Sequence, residues 1–389
     1  MTRRDYRYIV VGLGGLGSAA AYWLSKRAGP DVLGLEQFEL GHLRGESEDH
    51  SRIFRLSYHT PFYVALAKRA LESWRLTEAD AAEELILGTG GLDFGPRDSA
   101  ISLDSYMDSM AANAVPFEHL DAATIMRRWP QFTLDDQIHG VYQESAGIAK
   151  AALANAAHRR LAMAHGATLR DRSPITKIVA VGGEFVVEAG ANSYRSEKVI
   201  LIPGPWSNQV LAHFDLRLPL AVTREQVSYF ASPHQAEFAP ERFPVWIWMD
   251  DPCFYGFPVF GEPATKAGQD VGGHPTTADT RDFVPDPAYS ARVEGFLAKY
   301  LPRALGPIHS IQTCLYTLTP DRDFVIDAVP GRSNALVAIG AGHAYKFASV
   351  IGRILAELAI DGVTPSDLAP FRITRPILQM ENPPANYMV

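Results

Sequence analysis

Residues 8–36 constrain this chain more tightly than any other stretch. Tyr8-Ile9-Val10-Val11 is a short β-branched apolar run of the kind that forms a strand buried on both faces. Gly12-Leu13-Gly14-Gly15-Leu16-Gly17 follows at once, and Ser18 to Leu24 (SAAAYWL) then reads as a helix. The next apolar run, Val32-Leu33-Gly34-Leu35, ends in Glu36, 19 residues beyond Gly17. A dinucleotide fingerprint needs that order and a spacing of about 20 residues. Gly12 permits the tight turn, Gly14 and its neighbour Gly15 let backbone approach a pyrophosphate, and Gly17 lets helix pack on strand. The helix N-terminus offers N–H groups to phosphate, and Glu36 can accept hydrogen bonds from an adenosine ribose. The fingerprint alone leaves FAD and NAD open.

The uncharged run 8–24, preceded by Arg3, Arg4 and Arg7, superficially resembles a secretory leader. Its glycines and the strand that follows fit the fingerprint better, and a membrane helix needs about 20 mainly apolar residues. At 389 residues the chain predicts two or three domains. A formal net charge of −8 argues against nucleic acid or an anionic membrane as partner. The two cysteines, Cys253 and Cys314, cannot build a disulfide framework or a cysteine-rich zinc site, and no HExxH spacing suggests another metal. A reducing, cytoplasmic setting is the expectation, and the terminal Tyr387-Met388-Val389 is not a peroxisomal tripeptide.

Strand signals recur at Ile175–Val181, Phe185–Glu188, Lys198–Gly204 and Ala335–Gly340. Cofactor-binding segments therefore lie at the start, middle and end of the chain, and a second domain is inserted between them. The expected architecture is α/β: a Rossmann-like domain from residues 1–88, 145–215 and 320–389, with a substrate domain from 89–144 and 216–319. Helices are expected over Phe62–Leu76, Ile101–Asn113, Ala122–Arg128, Lys150–His165, Ala288–Tyr300 and Tyr345–Ile360. Val245–Phe257 reads as an aromatic hairpin around Asp250-Asp251-Pro252, and Asp279–Pro287 as a polar loop.

Gly340-Ala341-Gly342-His343 is a second glycine-bearing strand-to-helix junction, able to face developing negative charge or to be an ordinary turn. Arg52 and Arg55 would share a face if their segment were helical, and suit bidentate binding of a carboxylate. Their bland alternative is a surface pair balancing Glu46, Glu48 and Asp49. Taken alone, Cys314 reads as a buried inert thiol, Lys266 as solvent-facing and the aromatic hairpin as core.

Six segments in order resemble the monomeric sarcosine oxidase and N-methyltryptophan oxidase family. They are GLGGLG with Glu36, SRIFRLSY (Ser51–Tyr58), TGGLDFGP (Thr89–Pro96), YGFPVFG (Tyr255–Gly261), CLYTLTPDRDFVID (Cys314–Asp327) and GAGHAYKFAS (Gly340–Ser349). The resemblance implies a FAD-binding domain of the glutathione-reductase/D-amino-acid-oxidase type with an antiparallel-sheet substrate domain. It matches Cys314 to the cysteine that carries FAD by a thioether, Arg52 to the arginine against the flavin ring, and Lys266 to the lysine that promotes reaction with oxygen. Arg55 and Lys346 match the pair that binds the substrate carboxylate, with Tyr255, Tyr316 and Gly342 around the substrate. Ser51, Ile175, Gly204, Trp206, Gly340 and His343, and Gly342 and Lys346 again, complete the expected cofactor contacts.

Two departures stand out. Asp270 replaces the histidine common four positions after the lysine, and Glu48-Asp49-His50-Ser51 replaces His-Gly-Asp-Thr. A carboxylate at 270 facing the substrate would favour an ammonium and raise the amine pKa, so Asp270 joins Lys266, Arg52 and Tyr316 as a catalytic candidate. Trp246 and Trp248 either widen the pocket or fill the core. The implied activity is FAD-dependent oxidation of a secondary (N-methyl or cyclic) α-amino acid to an imine, with O2 reduced to hydrogen peroxide by a monomeric enzyme. Its rivals are a dehydrogenase with another acceptor, an oxidase of an amine lacking the N-methyl group, an NAD enzyme and a non-catalytic sensor.

Overall fold

The computed structural model describes residues 4–47 and 49–384. Arg3, Glu48 and the terminal Tyr387-Met388-Val389 lie outside them. Five strands run parallel through the first sheet: Thr168–Arg170, Val32–Leu35, Asp5–Val11, Asn192–Leu201 and Arg332–Ile339. Ile9, Val10, Leu33, Val199, Ile200 and Val337 are completely buried, as strands covered on both faces require. Helices Gly15–Ala28, Pro61–Ala81, Ala151–Ala164 and Ala348–Asp361 share one core with this sheet. The first helix buries Ala19, Ala20, Ala21, Tyr22 and Leu24 around nearly its whole circumference, so its sequence carries no clear amphipathic stripe. Val11, Leu35, Leu201 and Ile339 end at one edge, the place where open α/β sheets bind ligands.

The second sheet has nine strands and is antiparallel except where Val245–Trp248 runs parallel to Gly91–Pro96. Its long members, Ala221–Phe230 and Ile308–Leu318, pair along most of their length, with Cys314 opposite Glu225. Helix Pro287–Tyr300 packs on it through Val293, Phe296 and Leu297. A third, three-stranded sheet joins Arg52–Phe54, Gly147–Ala149 and Ile86–Gly88. No described helix is long and apolar enough to cross a membrane.

The α/β reading with a second antiparallel sheet matches this architecture, and the differences in detail are physical. The helix expected to stop at Leu76 continues to Ala81, because Thr77 and Ala81 extend its buried stripe. The last helix begins with a tight turn, Ala344–Phe347, before Ala348–Asp361. Arg52 and Arg55 are not on a helix: Arg52–Phe54 is a strand paired with Gly147–Ala149. The hairpin forms with Trp246 opposite Gly256. Trp246 and Trp248 point into the core against Phe296 and Phe94, so they do not widen the pocket. With period two, Ile247 and Met249 line the cavity instead.

Candidate active site

Two abutting cavities, sharing Leu16, Glu46, Ser47 and Gly340, form one trough between the parallel sheet and the antiparallel one. The first encloses about 1130 Å³ including its open mouth and is built on the carboxyl ends of the parallel strands. Gly12, at φ +89°, donates its N–H to Leu35 O at 2.8 Å. A Cβ there would sit 2.3 Å from Ile202 O, and one on Gly17 would sit 1.9 Å from Gly12 O, so neither position admits a side chain. Glu36 accepts from Leu13 N–H at 2.8 Å and Phe38 N–H at 3.2 Å, and lies 3.3 Å from His42. Burial alone would raise its pKa; His42 and these N–H groups reverse that and hold the carboxyl below the usual range. Gly14, Gly15, Ile175, Gly204 and Trp206 complete this half.

The second cavity, about 1380 Å³ with its mouth, gathers Ser51, Arg52, Arg55, Tyr255, Lys266, Asp270, Cys314, Tyr316, Gly342, His343 and Lys346. These residues come from four distant stretches of chain, so the trough brings together every site residue singled out from the sequence. Lys266 is not solvent-facing: its side chain is 3% exposed. Its Nζ donates to Asp49 Oδ2 at 2.5 Å and to Ser51 O and Oγ at 3.1 Å each. Cys314 is half-buried rather than sealed in the core, and burial pushes its thiol up to about 11 although Arg52 opposes this.

Farther along, Arg55 pairs with buried Asp93 at 3.2 Å and stacks over the Tyr58 ring at 4.9 Å. Asp270 Oδ2 lies 3.3 Å from Arg322 Nη2. Lys346 is tied through its backbone carbonyl, which accepts from Trp74 Nε1 at 2.8 Å, and no described carboxylate pairs with its ammonium. Burial and then repulsion from Arg55 bring Lys346 down to about 7, against an opposing pull from Asp270. His343 accepts no charge here: burial, Arg322 and Lys346 push its pKa well below the usual value, and its Nε2 is 2.8 Å from Arg322 O.

The family model described as FAD dependent oxidoreductase (DAO) matches residues 7–358. The chain belongs to that family. A monomeric sarcosine oxidase from Arthrobacter sp. (strain TE1826) is 32% identical over 97% of this chain and 98% of its own length. An N-methyl-L-tryptophan oxidase from Salmonella heidelberg (strain SL476) is 31% identical over 95% of this chain and 99% of its own. The solved structure of NikD, an unusual amino acid oxidase essential for nikkomycin biosynthesis, superposes with TM-score 0.83 at 28% identity, covering 95% of this chain and 98% of that one. Within the family the chain thus groups with the sarcosine oxidase type.

The residues of this FAD-dependent oxidoreductase fit the cofactor. The first half offers a glycine cradle at a helix N-terminus and an acceptor carboxylate at the end of the second strand, as a dinucleotide requires. At the junction, Glu46 Oε1 is buried with no hydrogen-bond partner, an acceptor open to a hydroxyl donor. Sequence reading alone passed over Asp49, Asp93 and Arg322 as site residues. Asp93 gave little signal, because on the strand Gly91–Pro96 Leu92 and Phe94 share the face opposite to it; the structure shows Asp93 buried on its own face against Arg55. Asp49 gave none, since it stands among Glu46, Glu48 and His50 in what reads as a solvated loop.

Proposed function

We propose that this oxidoreductase oxidises a secondary α-amino acid, N-methyl or cyclic, at its C–N bond and uses O2 as acceptor. The observation that carries the reading is the charge pattern of the second cavity. Among the described residues, Lys266, Arg52, Arg55 and Arg322 each form an ion pair with a carboxylate of the protein, whereas Lys346 forms none. One unpaired cation beside Arg55 suits one substrate carboxylate. Asp270, on the same cavity wall, suits the substrate nitrogen, and Ile247, Met249, Ile101 and Cys253 leave an apolar wall for the side chain.

FAD, when bound, supplies the two-electron acceptor for the substrate hydride and passes the electrons on to oxygen. Lys346 and Arg55 fix the carboxylate, which orients the carbon beside nitrogen. Tyr255, Tyr316 and the Gly342 backbone close around the substrate; a Cβ on Gly342 would sit 2.8 Å from the Tyr316 ring. For an N-methyl substrate the imine takes up water to give formaldehyde and the primary amino acid, and O2 leaves as hydrogen peroxide. We assign Cys314 as the covalent flavin attachment. We further assign residues 1–88, 145–215 and 320–389 to the FAD-binding domain and 89–144 and 216–319 to the substrate domain. Every strand of the first and third sheets falls in the former set and every strand of the second in the latter, which supports that division.

The test is peroxide formation from a panel of N-methyl and cyclic α-amino acids beside the same amines lacking the carboxylate. The reading expects turnover of the acids alone. Equal turnover of the carboxylate-free amines overturns it, and reduction of artificial dyes without peroxide replaces the oxidase with a dehydrogenase.

A further inference from the structure

Asp49 stands at the centre of the charged groups in the second cavity. It lies 3.2 Å from Arg52 Nη1 and accepts from Tyr229 Oη at 2.7 Å as well as from Lys266. Its side chain is 6% exposed. The strand Thr265–Gln269 that carries Lys266 is separated from Asp49 by 217 positions in sequence, so the contact is purely tertiary.

We propose that Asp49 is a positioning residue, which holds Lys266 and Arg52 as a fixed pair of cations on the cavity wall and keeps Lys266 charged there. The proposal rests on the reading that Lys266 faces the bound cofactor.

The physical case is one of competing effects. Burial works against the ammonium of Lys266, and Arg52 adds repulsion; Asp49 is the chief opposing influence, helped by the more distant Cys314. Asp49 in turn would be raised by burial, yet Lys266 and Arg52 together keep it well below the usual carboxylate range. The other groups packed around the ammonium are the Tyr229 ring at 5.6 Å and the Phe257 ring at 4.6 Å, neither of which supplies an anion in the neutral range. Without Asp49 the lysine would be a buried cation beside a second cation. Burial has been seen to push lysines as low as about 5–6. Asp49→Asn therefore moves Lys266 further toward the neutral amine, although Lys266 itself and its bonds to Ser51 are untouched.

The experiment measures the midpoint potential of the protein-bound FAD against pH, from about 5 to about 9, a range that brackets that titration. It uses the parent, Asp49→Asn, Asp49→Glu, Lys266→Met and the Asp49→Asn/Lys266→Met double variant. The proposal expects Lys266→Met to lower the potential, and Asp49→Asn to fall with it at the alkaline end and return toward the parent at the acid end. Asp49→Glu should restore the parent profile, and the double variant should match Lys266→Met alone. If Lys266→Met moves the potential and Asp49→Asn does not, the proposal is overturned. If Lys266→Met moves nothing at any pH, the reading of Lys266 beside the cofactor has failed instead. Should Asp49→Asn not fold, a double variant that folds and binds FAD supports the proposal, because removing both charges relieves the unpaired cation; a double variant that also fails to fold overturns it.

Discussion

Lys346 gives the sharpest consequence of the site's electrostatics. In the free protein, burial and the neighbouring Arg55 bring its pKa to about 7. A carboxylate that binds there selects the protonated form and raises that pKa, so binding takes up a proton when the solution is more alkaline. Affinity is then flat below about pH 7 and falls about tenfold, or about 1.4 kcal/mol, for each pH unit above it until the pKa of the complex is reached. At about pH 9 the loss relative to the low-pH plateau approaches 100-fold, or about 2.7 kcal/mol. Burial pushes Cys253, Tyr255 and Tyr316 upward out of the range and His343 downward, while Glu46 in the same cavity is brought up to about 7 and would add to the slope, so Lys346→Met is the control that isolates the lysine. The assay titrates the holoenzyme with a small carboxylate that lacks an amine, such as acetate, and follows the change in flavin absorbance at a series of pH values. Lys346→Met should bind more weakly at low pH and lose the lysine's part of the slope. A parent affinity that is flat across the range, or a slope undiminished in Lys346→Met, refutes the reasoning.

Three further outcomes are expected. Acid precipitation of the parent should give a yellow pellet, whereas Cys314→Ser should leave its flavin in the supernatant; equal yellow pellets would move the attachment to another residue. Asp270→Asn removes a carboxylate that favours the ammonium form of the substrate, so the alkaline pH at which turnover half-rises should move to lower pH, and an unmoved profile would remove Asp270 from the substrate nitrogen. His158 is fully buried between Tyr22 and Trp74 with neither ring nitrogen hydrogen-bonded, and burial brings it down to about 3. The unfolded chain therefore binds a proton that the folded one does not, and stability falls as pH drops below about 6.5, by up to about 1.4 kcal/mol per unit. In urea unfolding at pH 7 and pH 5, His158→Phe should lose less stability than the parent by about 2 kcal/mol; identical losses would exclude the mechanism.

How far the sequence revealed these features depended on how local their causes are. The cofactor half was legible because strand, glycines, helix and Glu36 act within one continuous stretch, each by backbone geometry. The hairpin at Trp246 was legible by alternation, but alternation fixes only that Trp246 and Trp248 share a face, not which face meets the core. Lys266 was illegible for the opposite reason. Nothing in Thr265-Lys266-Ala267-Gly268 signals a buried charge; it is buried because Asp49 and Ser51 are carried onto that strand from far away in the chain. Arg55 and Asp93 were likewise visible only singly, as an arginine and an acid in an apolar run, and their pairing is set by how the small third sheet meets the second. Family resemblance named most cavity residues where the residues themselves did not.

The most direct measurement mixes the oxidised holoenzyme, without oxygen, with one N-methyl or cyclic α-amino acid and separately with the matching amine that lacks the carboxylate. The account expects rapid loss of the yellow absorbance with the acid only, followed on admission of oxygen by return of the colour and one equivalent of peroxide. Unchanged absorbance with every secondary amino acid in the panel, or equal bleaching by the carboxylate-free amines, would contradict it.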